Sequence, residues 1–406
     1  MATFEIRDYE PIIGSNEVEV ILSLAERVNG ARITHVNATA YGGGVAEILK
    51  SHIPLARSVG LDAKWLVLSG NKEFFNVTKS IHNALQGNTS IKLDRDMREI
   101  YLKTNEQNSK TLEIDGLDSS DIVIIHDPQP LPLVENKMNG GWVWRCHIDN
   151  SQPSRQVWDF LKPFIKKYDA LIFTHEAYIP TDFNNTKTFV RQPCIDPLSD
   201  KNKPLTPTEI LNVLEKFGLD PDRPIIGQVS RFDPWKNPIG VIDAFLRVKE
   251  QVPDVQLVLI GSFAYDDPEC SDWCERTFKK AEISNDIHVL TNLEDVEVNA
   301  IQRALSVAFQ LSVKEGFGLT VTEALWKGVP VVATRVGGIP LQVIDGVTGL
   351  LVDDVEEAAE KAILLLRNRW LARRLEQKGI KHIKRNFLVT KHLKDYLSLY
   401  IELVGA

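Results

Sequence analysis

Four charged side chains carry the chemistry that can be read in this sequence: Arg231, Lys236, Glu315 and Glu323. Arg231 and Lys236 lie in GQVSRFDPWKNP, on a loop that leaves an apolar run and leads into a helix start. Arginine offers a planar fork and lysine a compact charge, so together they can neutralise a diphosphate. Their catalytic use would be to stabilise a departing phosphate, where negative charge grows in the transition state. Glu315 and Glu323 bracket the turn Gly316-Phe317-Gly318 and the start of a helix, with seven residues between them. A carboxylate can accept two hydrogen bonds from a vicinal diol, which suits hydroxyl recognition. Two carboxylates can also form the acid/base pair of a glycoside hydrolase. Diphosphate-binding groups would have no use in a hydrolase, and Glu323 lies beyond the first helical turn, where the helix dipole alone would favour a carboxylate. The ligand implied has an anionic part, met by basic side chains and helix amides, and hydroxyl-rich parts, met by carboxylates. A nucleotide-sugar has that make-up. A two-lobed binding protein would have no use for all four groups together.

The elements that must position these groups follow a strand–helix alternation. Phe309–Leu311 ends a buried strand, a helix is expected over Leu319–Lys327, and Val329–Ala333 is the next strand. Ile225–Ser230, Val255–Ile260 and Ile287–Thr291 are further strands of the same half. Asn237 and Pro238 are an N-cap and N1 pair for a helix running to Glu250. Thr291 and Glu294 suggest a capping box for a helix through Arg303. Asp354 to about Asn386 reads as helical, and Val389–Val404 as a last amphipathic helix. In the first half, helices are expected over Ser15–Val28, Val45–Val59 and Lys72–Leu85, and strands at Arg32–Asn37, Ala63–Leu68, Asp121–His126, Trp142–Ile148 and Ala170–Phe173. The β-branched run DIVIIH is typical of a parallel strand buried on both faces. Gly42, Gly43 and Gly44 form a glycine-rich turn that lets backbone approach a ligand closely. It is not the dinucleotide fingerprint, because the third glycine would fall at Glu47, and this disfavours hydride transfer. His126, His147 and His175 fall at or after strand ends, where open α/β sheets bind ligands.

Proline-rich composition from Pro193 to Pro224 marks a linker. The expected fold is α/β, with two doubly wound Rossmann-like domains facing an interdomain cleft. Their boundaries fall at residues 1–200 and 201–384. A chain of 406 residues exceeds what one core usually supports. A net charge of −8 argues against nucleic acid as a partner. No apolar run of membrane-spanning length and no signal-peptide pattern is evident, so a cytoplasmic enzyme without membrane partners is expected. Four cysteines are too few for a disulfide scaffold, and Cys270 and Cys274 read as a helical pair of ordinary thiols rather than zinc ligands. No metal site and no cofactor are expected. A homodimer is compatible with this composition.

GQVSRFDPWKNP, EGFGLTVTEALWKGVPVVAT and GGIPLQVIDGVTGLLV together resemble the retaining GT-B glycosyltransferases that share the Glu-x7-Glu signature. The resemblance covers the C-terminal half and implies that this half holds most of a nucleotide-sugar donor. It implies that Arg231 and Lys236 bind the diphosphate and that Glu315 contacts the donor sugar, beside the amides of Gly316, Phe317, Gly318 and Leu319. It gives Glu323 the ribose hydroxyls, and places Val289, Leu290 and Asn292 at the nucleobase. His147 would touch the donor sugar, and Gly43 and Gly44 would lie near the phosphates. The C-terminal helix, about 385–406, would cross back onto the N-terminal domain. HVNATAYGGGVAEIL, VIIHDPQP and WVWRCHIDNSQPS are similar to the archaeal glycosyltransferring trehalose synthases and to the related trehalose phosphorylases. That likeness implies transfer of glucose, with retention, from UDP-, ADP- or GDP-glucose as co-substrate to free glucose. Asp149 and Asn150 are placed near this acceptor. A phosphorylase, or a different glucosyl acceptor on the same fold, is the alternative.

Overall fold

The computed structural model describes residues 4–183, 186–261 and 268–404. The chain divides into two compact units, one formed by residues up to Cys194 together with those from Val389, the other by Ile195–Leu388.

The first unit is built on six parallel strands: β1 (Arg32–Asn37), β2 (Asp62–Val67), β3 (Ile122–His126), β4 (Gly141–Cys146), β5 (Ala170–Phe173) and β6 (Lys187–Val190), in the order β2-β1-β3-β4-β5-β6. β3, β4 and β5 are buried almost throughout, as strands covered by helices on both faces must be. Trp142, Trp144 and Phe173 fill the core against the helices Lys72–Leu85 and Arg155–Ile165. The last helix, Val389–Val404, packs on the helices Ser15–Glu26 and Gly44–Ser58 of this unit. β6 was not expected from the sequence. It is an edge strand, paired on one side and only partly buried, so it carries no apolar run to mark it.

The second unit repeats the plan with β7 (Ile225–Val229), β8 (Gln256–Gly261), β9 (Ile287–Thr291), β10 (Val307–Gln310), β11 (Val331–Thr334) and β12 (Leu350–Val352), in the order β12-β11-β10-β7-β8-β9 and all parallel. In both sheets the strand order turns back next to the first strand, at β1/β3 and at β7/β10. The loops leaving the carboxyl ends of such neighbours splay to opposite faces and leave a crevice.

Three local expectations need correction. The proline-rich stretch is no free linker: Asn299 Nδ2 holds the carbonyls of Asp200 and Lys203, each at 2.9 Å, and Arg303 Nη2 holds that of Asn202. Its helix, Pro207–Lys216, is capped by Thr206 with Glu209 and packs on the helix Asp295–Ala304. The capping box of Asp295–Ala304 uses Glu294 and Glu297 rather than Thr291 and Glu294, because Thr291 still belongs to β9. The region from Asp354 to Asn386 is two helices, Val355–Arg367 and Arg369–Asn386, broken where the Asn368 side chain accepts from Leu371 N–H at 3.0 Å.

Candidate active site

In the second unit the side-by-side position of β7 and β10 brings the two chemistry-bearing loops together. Gln228, buried at the end of β7, ties them: its amide donates to the carbonyl of Lys236 at 2.8 Å and its carbonyl accepts from Leu311 N–H at 2.9 Å. Val313 N–H adds a bond to the Trp235 carbonyl at 2.7 Å. Lys236 Nζ thereby lies 2.5 Å from Glu315 Oε2, with side-chain exposures of only 16% and 9%. Little solvent screening is left at such exposure, so the two charges hold each other in place. The Ser312 hydroxyl donates to the same carboxylate oxygen at 3.3 Å. Arg231 is nearby but more open. Its Nη2 lies 3.0 Å from Asp233 Oδ2, a charge contact whose alignment falls short of a hydrogen bond, while Asp233 Oδ1 accepts from Lys236 N–H at 3.0 Å. Asn237 adopts φ +51° and caps the following helix through Gly240 N–H at 3.1 Å. That cap fixes where the loop carrying Lys236 ends.

The Gly316–Gly318 turn is pressed from two sides. Gly318 has φ +86°, and a β-carbon there would sit 3.2 Å from Glu315 Cγ. A β-carbon on Gly338 would meet the Gly316 carbonyl at 2.6 Å, so a second loop packs directly on the turn. Gln342 donates to the carbonyl of Phe317, whose buried ring lies 5.5 Å from that of Phe387. The helix Leu319–Trp326 then starts with no side-chain cap, leaving its first amides to other partners. Glu323 is buried on this helix. Its carboxylate accepts from Gln302 Nε2 at 3.4 Å, and Gln302 Oε1 accepts from Lys327 at 2.6 Å. Val289 and Leu290 are half-buried on β9, the edge strand beyond β8, and Asn292 follows at φ +57°, exposed, with its N–H on the Gly261 carbonyl at 3.3 Å.

In the first unit Gly42 and Gly43 adopt φ +72° and +86° and lead into the helix Gly44–Ser58, with open space where side chains would be. His147 follows β4 and is half-buried, its N–H donating to Asp127 Oδ1 at 2.7 Å. Asp127, just after β3, has φ +64°, and burial pushes its carboxyl up to about 7. Arg145, also not singled out in the sequence, is fully buried, which lowers its pKa, and its Nε and Nη1 find no hydrogen-bond partner among the described residues. Nothing in a lone arginine inside WVWRCHI announces burial. Asp149 closes a local turn, accepting from the Ser151 amide and hydroxyl at 3.1 and 2.7 Å. The buried Asn150 amide has no partner among the described residues. His175 caps a short turn through Ala177 N–H at 2.8 Å, which accounts for it structurally. Cys274 is buried; the side chain of Cys270 lies outside the described residues. Among the described residues no three His, Cys, Asp or Glu side chains converge as a metal site, and no helix is long and apolar enough to cross a membrane.

Residues 35–180 match the family model "Trehalose synthase, N-terminal domain", and residues 211–382 match "Glycosyl transferases group 1". A trehalose synthase of Pyrococcus horikoshii is 49% identical, over 99% of this chain and 97% of that one. A trehalose synthase of Rubrobacter xylanophilus is 46% identical, over 98% of this chain and 97% of that one. A solved structure, "Trehalose-6-phosphate from E. coli bound with UDP-2-fluoro glucose", overlays with a TM-score of 0.74 at 16% identity, covering 92% of this chain and 99% of that one, a likeness of fold alone. The near-full-length identity and the two family matches agree with the paired sheets and the loops at their turning points: the chain belongs to the trehalose synthases, glycosyltransferases of the GT-B fold.

Proposed function

We propose that the protein transfers glucose, with retention and reversibly, from a nucleoside-diphosphate glucose to free glucose, giving α,α-trehalose and nucleoside diphosphate. The observation that carries this reading is the Lys236–Glu315 pair at the ends of neighbouring strands, beside a bare helix start. A diphosphate entering there gives Lys236 and the more exposed Arg231 a new anion to neutralise, and frees Glu315 to accept hydrogen bonds from sugar hydroxyls. The amides from Gly316 to Leu319 meet the same ligand. Glu323 takes the ribose diol, and Val289, Leu290 and Asn292 line the base. From the first unit, His147 touches the donor sugar, Gly43 and Gly44 approach the phosphates, and Asp149 and Asn150 face the acceptor.

In the reaction the bond from C1 of glucose to the phosphate oxygen breaks, and the acceptor's anomeric oxygen bonds to C1 on the same face. The acceptor proton passes to the departing phosphate oxygen. No enzyme carboxylate attacks C1, so the protein's part is orientation, charge stabilisation and exclusion of water. The names of the relatives support trehalose as the product, and the UDP-2-fluoro glucose in the E. coli structure supports a nucleotide-sugar donor.

The test is to supply glucose with UDP-, ADP- or GDP-glucose in turn, with and without a chelator, and to follow nucleoside diphosphate. Release that depends on glucose and is unchanged by the chelator is expected. Conversion of trehalose and orthophosphate to glucose 1-phosphate without nucleotide would instead identify a phosphorylase.

A further inference from the structure

Three histidines from neighbouring strands of the first unit form one hydrogen-bonded row. His35 on β1 and His126 on β3 meet at the point where the strand order turns back, and His147 follows β4 next door. His35 Nδ1 lies 2.9 Å from His126 Nε2, and His126 Nδ1 lies 2.9 Å from His147 Nε2. Successive ring planes differ by 24° and 16° with centroids 5.2 Å apart, which sets the rings edge to edge in line for N–H···N bonds. At the far end His35 Nε2 lies 3.1 Å from the hydroxyl of Tyr400, on the last helix.

A neutral imidazole has one N–H and one bare nitrogen. Each N···N contact needs one of each, so the two contacts force all three rings into the same tautomer, all Nδ1–H or all Nε2–H. Tyr400 decides between them. Its hydroxyl is buried, and His35 is its single hydrogen-bond partner among the described residues. In the all-Nε2–H row His35 would donate to it, leaving the phenolic hydrogen buried without an acceptor. In the all-Nδ1–H row the phenol donates and no buried donor is orphaned, which is the favoured state. Burial holds all three rings neutral by lowering their pKa values well below the ordinary range. The neighbouring pair, His52 and His392 with Nδ1 atoms 3.2 Å apart, shares no hydrogen bond with this row.

We propose that Tyr400, His35 and His126 act as a tautomer relay that holds His147 as its Nδ1–H form, so that its ring offers a donor, not an acceptor, to a sugar hydroxyl. His126 and its two predecessors are positioning residues, acting through His147. His147 is the half-buried end of the row, and its Nδ1 makes no hydrogen bond among the described residues. The use of this donor rests on the sugar-transfer reading; the tautomer itself does not.

The direct test is a long-range proton–nitrogen correlation spectrum of the full chain with 15N-histidine at neutral pH, the His147 signals being assigned by their loss in His147→Gln. The relay requires His147 and His126 to carry the proton on Nδ1 in the wild type; Nε2–H at His147 would overturn it. His126→Leu removes the donor to His147 and is expected to move that ring to Nε2–H, with kcat/KM for the donor falling about tenfold, the worth of one hydrogen bond. His126→Asn keeps an amide N–H near the Nδ1 position and is expected to preserve the tautomer and most of kcat/KM. Equal spectra or equal kcat/KM for the Leu and Asn variants would overturn the positioning role. The spectra need no substrate, so absence of transfer by the wild type would count against the sugar-transfer reading alone.

Discussion

Lys236 and Glu315 form an ion pair with little exposure to solvent, and the proposed transfer would use both groups. Each meets the other with little water between, and each is the group a sugar diphosphate would recruit. Glu315→Ala is expected to abolish transfer while the thermal unfolding transition stays cooperative; near wild-type turnover would remove Glu315 from the donor site. Lys236→Ala is expected to lower turnover at least about 100-fold, as loss of one transition-state donor does elsewhere. A lysine that only props a loop would leave turnover almost unchanged. The spacing of these residues was legible because an arginine and a lysine on a loop between a strand and a capped helix, and two glutamates around a glycine-punctuated turn, need no knowledge of packing. Asp127 and Arg145 were not legible. What sets them apart is a raised and a lowered pKa caused by burial, and burial of a single polar residue leaves no pattern in its neighbours.

On the proposed reading, the element that would control this chemistry is the turn before the helix Leu319–Trp326. Gly318 sits at φ +86°, where an L side chain costs about 1–2 kcal/mol, and its missing side chain leaves room for Glu315 at 3.2 Å. Gly318→Ala is therefore expected to lower stability by about that amount in urea unfolding and to depress turnover by displacing the Glu315 carboxylate. Full activity in a destabilised variant would show that the turn serves the fold alone. Most elements could be read from the sequence: Lys72–Leu85 and Val389–Val404 run between the residues their apolar periodicity indicates. Failures came where periodicity is silent. β6 lies at an edge, and the prolines after Pro193 lie in chain whose carbonyls are bound by side chains about 100 residues further on.

Across the whole molecule the buried histidines make stability depend on pH. Burial pushes His52 down to about 4 and lowers His35, His126, His147 and His392 well below their ordinary value. A depressed histidine costs nothing above about 6.5, where folded and unfolded states are both neutral. As pH falls below that, the unfolded chain takes up protons that the folded chain refuses, so stability is lost until the folded pKa is reached. The loss approaches roughly 1.4 kcal/mol per pH unit for each such ring. Asp127 acts in the opposite sense: its carboxyl, raised to about 7, favours the folded state more as pH falls from 7 toward 4. One carboxyl against five imidazoles leaves net acid destabilisation. The urea midpoint is expected to drop steadily from pH 7 to pH 5, and His52→Asn should make that slope shallower; a flat wild-type profile would contradict the neutral cluster.

The two-sheet plan was legible in the strand–helix alternation, whereas the histidine row was not, since its members are far apart in sequence and only the parallel register sets them side by side. Incubating the protein with glucose and each nucleoside-diphosphate glucose, then identifying the disaccharide by NMR, tests the proposed transfer itself. α,α-Trehalose, both anomeric centres in the α configuration, is expected, formed together with nucleoside diphosphate. A β-linked disaccharide, or no disaccharide with any of the three donors, would contradict it.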